Sequence, residues 1–362
     1  MRIFMFPTFH QANDYGPALV GALQEQGADV RYLSPWTRFL PLRAIFQACG
    51  WPPRRLVHLH WIGSYTIKPY LWQTLLAAPF FLLELALLKA LGYKLVWTIH
   101  DYYAHHGNQF LRIDRWLRRL TARLVDAIII HSQAAGEQAS RLYGLPERHR
   151  RKMHPIPLGH YLGSYPNRLA QAEARAKLSL PPGDFLYGLF GYICPYKGVL
   201  PLVHAFRQLP GDELRLLIAG KPLEAAFGQV VADAAAGDER IDLRLAFIPG
   251  ESLQVYLNAV DVVVLPFEPC PAASSLLLAM SFGKAVIASA DIASAVETLP
   301  PHGGLIYDAG DPQGLRRALE EIRSLDTAAM GLENLANVRH FGWDTIARAT
   351  LQVYHQAAKF HQ

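Results

Sequence analysis

Three stretches of this chain put charged or charge-binding groups where an α/β sheet would display them. In 261–288 a buried run, Val262–Leu265, gives way to a proline-punctuated loop from Pro266 to Pro271. Ser274 and Ser275 then open an apolar helical run that ends near Phe282, with Gly283 just past it and a second buried run at Ala285–Ala288. Either serine is expected to cap the helix. Strand, loop, small hydroxyl residues at a helix start and strand again is how such folds offer backbone N–H groups to a phosphate, here those of Ser274, Ser275 and Leu276. In 94–106 a strand, Leu95–Ile99, delivers His100 and Asp101 to its C-terminal edge, with His105 and His106 following. A metal site drawn from these four has no HExxH or CxxC pattern behind it, and no metal is expected. The third stretch is a strand, Phe185–Phe190, ending in Gly191. Lys197 lies between that strand edge and a helix starting around Gly198, where an ammonium can meet an anionic ligand. His60 and Trp61 close a further buried strand beginning at Leu56; ligand contact and core packing both stay open for them.

Positioning these groups takes two sets of alternating strands and helices. The first begins with strand Arg2–Phe6, a loop, a helix from near Pro17 to Gly27 and strand Asp29–Leu33, with proline just inside the helix start and glycine just past its end. Asp126–His131 reads as another buried strand, followed by a helix capped by Ser132. Prolines and glycines in 154–167 mark a link between domains. The pattern predicts an α/β protein with two Rossmann-like domains facing a cleft, 1–160 and 161–338, and a final amphipathic helix within 339–362. At 362 residues the chain can bury two cores. No GxGxxG follows the first strand, which argues against a dehydrogenase. Three scattered cysteines, Cys49, Cys194 and Cys270, fit a reducing compartment rather than a disulfide framework, and the N-terminus shows no secretory pattern, so a cytoplasmic chain is expected.

The net charge of +5 hides an asymmetry: residues 1–170 carry +11 and residues 171–362 carry −6. Arg112, Arg115, Arg118, Arg119 and Arg123 recur at helical spacing and form an expected basic face. No nucleic-acid motif accompanies it, and an anionic membrane surface is the partner it fits. Residues 69–91 are strongly apolar, but Glu84, Lys89, Gln73 and Pro79 interrupt them. They are expected to form a helix covering the sheet, broken at Pro79, with part of its surface in the bilayer interface on the inner face of the plasma membrane.

The 261–288 stretch resembles the signature region of GT-B glycosyltransferases of the nucleotide-sugar-dependent group called family 4. LLAMSFGKAVIA keeps that frame, while Leu278 stands at the second of the family's two glutamates and Cys270 at the first, with Glu268 two residues earlier. The branch resembled is one lacking the intact Glu-x7-Glu pair. The resemblance implies that Gly16 in the first loop lets the backbone approach a donor diphosphate, with Asn13 and Tyr15 as sugar or acceptor contacts. Trp97–His100 is similar to a Trp-Thr-Val-His motif of the same branch, which places His100 and Asp101 beside the transferred sugar, with His60, His105 and Tyr161 as further acceptor or sugar contacts. Gly191, Lys197 and Gly220 fall where the family binds the donor. Tyr192 and Cys194 stand where its arginine would be, and Ile248 lies beside the nucleotide base. The last helix is expected to cross back to the first domain.

The function implied is transfer of a hexose from a nucleoside-diphosphate sugar, GDP- or UDP-linked, to a glycan or lipid-linked acceptor, with no cofactor. No Asp-x-Asp triplet is present to hold a metal ion; Lys197 and the helix-start amides would stabilise the departing diphosphate instead. Two other functions stay open: a non-catalytic sugar-binding or scaffold subunit, and a sugar-nucleotide epimerase of the same fold.

Overall fold

The computed structural model describes residues 2–7, 14–33, 55–104 and 110–359. Asn13 and His105 lie outside them. The chain divides into two compact units, one of residues 1–159 with 341–362 and one of residues 160–340.

The N-terminal unit is built on a six-stranded, all-parallel sheet. Its strands are β1 (Arg2–Phe6), β2 (Asp29–Tyr32), β3 (Arg55–Leu59), β4 (Lys94–Thr98), β5 (Ala127–Ile130) and β6 (Met153–Pro155), in the order β2-β1-β3-β4-β5-β6. The runs Phe4-Met5, Val57 and Ile128–Ile130 are buried on both faces, as parallel strands covered by helices must be. Helix α1 (Tyr15–Glu25) starts two residues before the expected Pro17, so Gly16 is buried in a helical first turn rather than lying in a loop. Helix α2 (Leu71–Ala90) runs unbroken through Pro79, against the expected break. Pro79 sits on the exposed face, where water can satisfy the carbonyl that lacks its N–H partner. Helix α3 (Leu111–Leu124) packs against α2, and helix α4 (Gln133–Tyr143) is capped by Ser132, whose hydroxyl accepts from the Ala135 N–H at 3.0 Å. The final helix, α5 (Trp343–Lys359), belongs to this unit: Ile346, Ala347, Val353, Tyr354 and Ala357 complete the core formed by Ile3, Met5, Leu19 and Leu56. Gly159 admits it, because a Cβ there would stand 2.3 Å from the Trp343 ring.

The C-terminal unit carries a second all-parallel sheet of six strands: β7 (Phe185–Phe190), β8 (Leu214–Ala219), β9 (Ile241–Arg244), β10 (Val262–Leu265), β11 (Ala285–Ser289) and β12 (Gly304–Tyr307). Their order is β12-β11-β10-β7-β8-β9. Chain direction across the sheet therefore reverses between β7 and β10, and in the first sheet between β1 and β3. Loops leaving the C-terminal ends of strands diverge at such reversals, and the crevice they open is where open α/β sheets bind ligands. The entry of β10 is fixed by Asp261, whose carboxylate accepts from the Leu186 N–H at 2.7 Å and from Arg175 Nη2 at 2.8 Å.

Candidate donor and acceptor sites

In the C-terminal unit the reversal point gathers Gly191, Lys197 and Gly220. A Cβ on Gly220 would lie 1.8 Å from the Gly191 carbonyl oxygen, and one on Gly191 would lie 2.6 Å from Lys197 Nζ. The absence of side chains at both positions is what lets the ammonium reach the end of β7. There Lys197 Nζ donates to the Phe190 carbonyl at 3.2 Å and lies 5.5 Å from the centre of the Phe267 ring. Gly198 turns the chain into helix α6 (Val199–Arg207) with φ +64°, and a Cβ there would stand 1.9 Å from the Pro266 carbonyl oxygen. The loops after β7 and β10 are also joined by the Glu268 N–H, which donates to the Tyr196 carbonyl at 2.8 Å; the Glu268 side chain is exposed.

Lys197 is only 7% exposed, and no carboxylate forms an ion pair with it among the described residues. Burial holds its ammonium down at about 8 instead of the ordinary 10.5. Lys284 is likewise lowered to about 8, but it precedes β11, at the opposite end of the sheet, where Nζ donates to the Asn258 and Val260 carbonyls. Of these two lysines, only Lys197 stands at the ligand-binding edge.

Helix α7 (Ser274–Ser281) starts close in sequence to β10. Ala273, not either serine, occupies its cap position, and no side chain caps it. Ser274 and Ser275 are thus the first two helical residues, exposed and half-buried, with hydroxyls not spent on capping. The Leu276 N–H donates to the Ala273 carbonyl at 3.0 Å, so that amide is not available to a ligand as expected. Ile248 is half-buried in the loop after β9, beside the exposed Phe247 ring. The Tyr161 N–H donates to Ser281 Oγ at 3.0 Å, which anchors its backbone at the far end of α7, about 10 Å from Ser274 at 1.5 Å per helical residue.

In the N-terminal unit the ends of β3, β4 and β5 bring His60, His100 and His131 together. His60 Nδ1 is 2.9 Å from His100 Nε2, and His100 Nδ1 is 3.2 Å from His131 Nε2. Trp61, held at φ +29°, stacks on His100 with ring centres 4.1 Å apart, and Tyr15 meets His100 edge-on at 4.9 Å. Left-handed backbone at a tryptophan is strained; the stack and the packing of Tyr15 hold it. The Asp101 carbonyl accepts from Arg118 Nη1 at 2.7 Å. Arg118 itself is buried in an ion pair with Asp114 at 2.8 Å, so it does not belong to the expected basic face, which keeps Arg112, Arg115, Arg119 and Arg123. His131 was not among the residues singled out from sequence. The signal was there: LVHLH, WTIH and IIIH end three successive strands in histidine.

Two parallel sheets of this order, each with its ligand edge at a strand reversal, define the GT-B class of transferase. The fold is shared with sucrose-phosphate synthase from Thermosynechococcus elongatus (TM-score 0.73, 21% identity, 98% of each chain). It is shared also with Anabaena Alr3699/HepE in complex with UDP and glucose (TM-score 0.71, 18% identity, 98% of this chain and 100% of that one). Residues 18–160 match the model described as Glycosyltransferase Family 4, and residues 185–324 match the model described as Glycosyl transferases group 1. The chain belongs to the family 4, group 1, glycosyltransferases and is a nucleotide-sugar-dependent transferase. Its relatives include a GDP-mannose:glycolipid 4-beta-D-mannosyltransferase of Xanthomonas campestris pv. campestris, 28% identical over 74% of this chain and 72% of that one. A D-inositol 3-phosphate glycosyltransferase of Xylanimonas cellulosilytica is 27% identical over 65% of this chain and 58% of that one.

The burial of Lys197 gives a signed expectation for pH. The folded, ligand-free chain releases this proton more readily than the unfolded chain, so folding is penalised fully below about pH 8 and the penalty fades as pH rises toward 10.5. Urea unfolding of the ligand-free protein will show stability from this source rising between pH 8 and 10. Lys197→Met will reduce that rise, leaving the part due to Lys284 and Lys152; an unchanged slope in the variant would contradict the assignment.

Proposed function

We propose that the C-terminal unit binds the diphosphate of a GDP- or UDP-linked hexose at Lys197, and that the N-terminal unit receives a glycan or lipid-linked acceptor. The observation that supports this most strongly is the desolvated Lys197 ammonium at the β7/β10 reversal, a cation with no carboxylate ion-paired to it among the described residues. Charge develops on the departing diphosphate during transfer, and groups already aimed at it stabilise that state without reorganising. Lys197 supplies one full charge, and the Ser274 and Ser275 amides at the α7 start add the partial positive charge of a helix N-terminus. Together they provide the neutralisation that a metal ion supplies elsewhere, so the reading is metal-independent. Gly191 and Gly220 give the phosphates room, the loop at Phe247 and Ile248 faces the base, and Glu268 lies within reach of the sugar. His100 and Asp101 act on the acceptor or the transferred sugar, and Tyr15 and the buried His60 pack against His100.

The acceptor side works at an anionic membrane surface on the cytoplasmic face. Support comes from α2, where Trp72 is 62% and Leu76 66% exposed and Leu75, Leu83 and Leu87 extend the same apolar surface. It is the one helix among the described residues long and apolar enough to cross a membrane, yet Glu84 is buried within it beside the Tyr65 hydroxyl at 3.2 Å. A helix with one face and a carboxylate packed on its own α/β unit and an apolar face outward fits a place in the interface. The four exposed arginines of α3, which packs on α2, match acidic headgroups, each worth about 1 kcal/mol near such a surface.

A thermal-shift panel of GDP, UDP, ADP and their common sugars tests the donor site: one nucleotide stabilises the chain selectively, and Lys197→Met abolishes the shift. No shift with any of them would favour the non-catalytic scaffold. Flotation tests the surface: the chain rises with phosphatidylglycerol vesicles at low salt, and a Trp72→Glu/Leu76→Glu variant stays behind. A wild-type chain that does not float with acidic vesicles would end the membrane assignment.

A further inference from the structure

The three strand-end histidines form a series whose proton positions are fixed from one end. His131 Nδ1 lies 3.1 Å from the Ile156 carbonyl oxygen, which can only accept, so that nitrogen carries the hydrogen. A neutral His131 then has its lone pair on Nε2 and must accept from His100 Nδ1 at 3.2 Å. By the same logic His100 has its lone pair on Nε2 and accepts from His60 Nδ1 at 2.9 Å. All three rings are therefore Nδ1–H tautomers aligned head to tail. Neutrality follows from burial: His60 is fully buried, His131 is 4% exposed, and desolvation lowers all three imidazoles. His58 stands outside the series, with its ring nitrogens 2.7 Å from the Tyr354 hydroxyl and 2.7 Å from Thr98 Oγ1.

We infer that His100 and His131 form a one-directional proton relay, in which a proton taken up from the acceptor hydroxyl at His100 Nε2 is passed on to His131. The inference rests on the reading of the N-terminal unit as the acceptor side. Exposure selects the point of entry, because His100 is partly exposed while His60 and His131 are buried. The incoming hydroxyl replaces His60 as the donor to His100 Nε2. As its oxygen bonds to the anomeric carbon, the O–H bond breaks and an Nε2–H bond forms on His100. The His100 Nδ1–H bond breaks in turn, and an Nε2–H bond forms on His131. The pair of electrons in the breaking sugar–phosphate bond leaves with the diphosphate, and the positive charge rests on His131.

The surroundings favour that end point. Desolvation lowers all three imidazoles; at His131 the Ile156 carbonyl bond and the Asp101 charge offset part of it, whereas at His60 and His100 neighbouring imidazoles add to the effect of burial. Tyr15 faces the rings from α1, His58 from β3 and Asp101 from the segment after β4; Arg118 from α3 reaches that segment through the Asp101 carbonyl. His131 is thus a positioning residue acting through His100.

Nitrogen-15 NMR of histidine-labelled protein tests this without any substrate, so its outcome is separable from that of the nucleotide panel. At pH 7 three buried neutral imidazoles will carry their proton on Nδ1, each assigned to its residue by correlating ring and backbone resonances of the wild-type chain. His131→Gln keeps an acceptor for the His100 Nδ1–H and leaves that tautomer in place, whereas His131→Leu will move the His100 proton to Nε2. On acidification toward pH 4, the first cation of the cluster will be His131. A His100 proton on Nε2 at pH 7, or a first cation on His100 or His60, would overturn the relay, and the wild-type spectra decide both even if a variant fails to fold.

Discussion

A lysine ammonium held out of water at the edge of a parallel sheet is the constraint around which the C-terminal unit is arranged. Burying a cation without a paired anion is costly, and the cost shows in the lowered affinity of Lys197 for its proton. Gly191, Gly198 and Gly220 remove every Cβ that would keep the ammonium, the β7 end and the β10 exit apart. In the proposed donor site a bound diphosphate would supply that anion, and in a site of low polarity the attraction is stronger than in water. On that proposal the ligand would relieve the penalty that the ligand-free chain carries and turn it into affinity and charge stabilisation.

The N-terminal unit solves a different problem with the same sheet geometry. Its reversal point displays imidazoles rather than a fixed cation, and burial keeps them neutral. Neutral imidazoles can hand protons to one another where a cation cannot. The backbone carbonyl of Ile156, just past β6, orders the series through His131, and by the proposed relay a feature of strand pairing would reach the chemistry. Both units thus place their polar groups at strand ends, where the apolar requirement of the sheet stops.

Much of this was legible in the sequence. Strand ends at Phe190, Leu265 and Ile130 follow from β-branched and apolar runs meeting glycine, proline or histidine, and Lys197, His100 and His60 were legible as strand-end groups. The helix start at Ser274 was legible, but not which residue caps it, because Ala273 lies in extended backbone that nothing in its side chain announces. Pro79 signals a break only if its lost hydrogen bond is unsatisfied, and on an exposed face water makes up the loss. Arg118 has the spacing of its surface neighbours; only tertiary contact with Asp114 and the segment after β4 shows that it is internal. His131 was missed because a single histidine after a strand carries little information, while three on adjacent strands carry a pattern visible only once β3, β4 and β5 are known to be neighbours.

The most direct test of the donor site is hydrogen–deuterium exchange of the whole chain with and without the nucleotide sugar that stabilises it. The account predicts slowed exchange in the segment from Gly191 to Gly198 and at the α7 start around Ser274 and Ser275. Slowed exchange confined to other segments, with both of these unchanged, would contradict it.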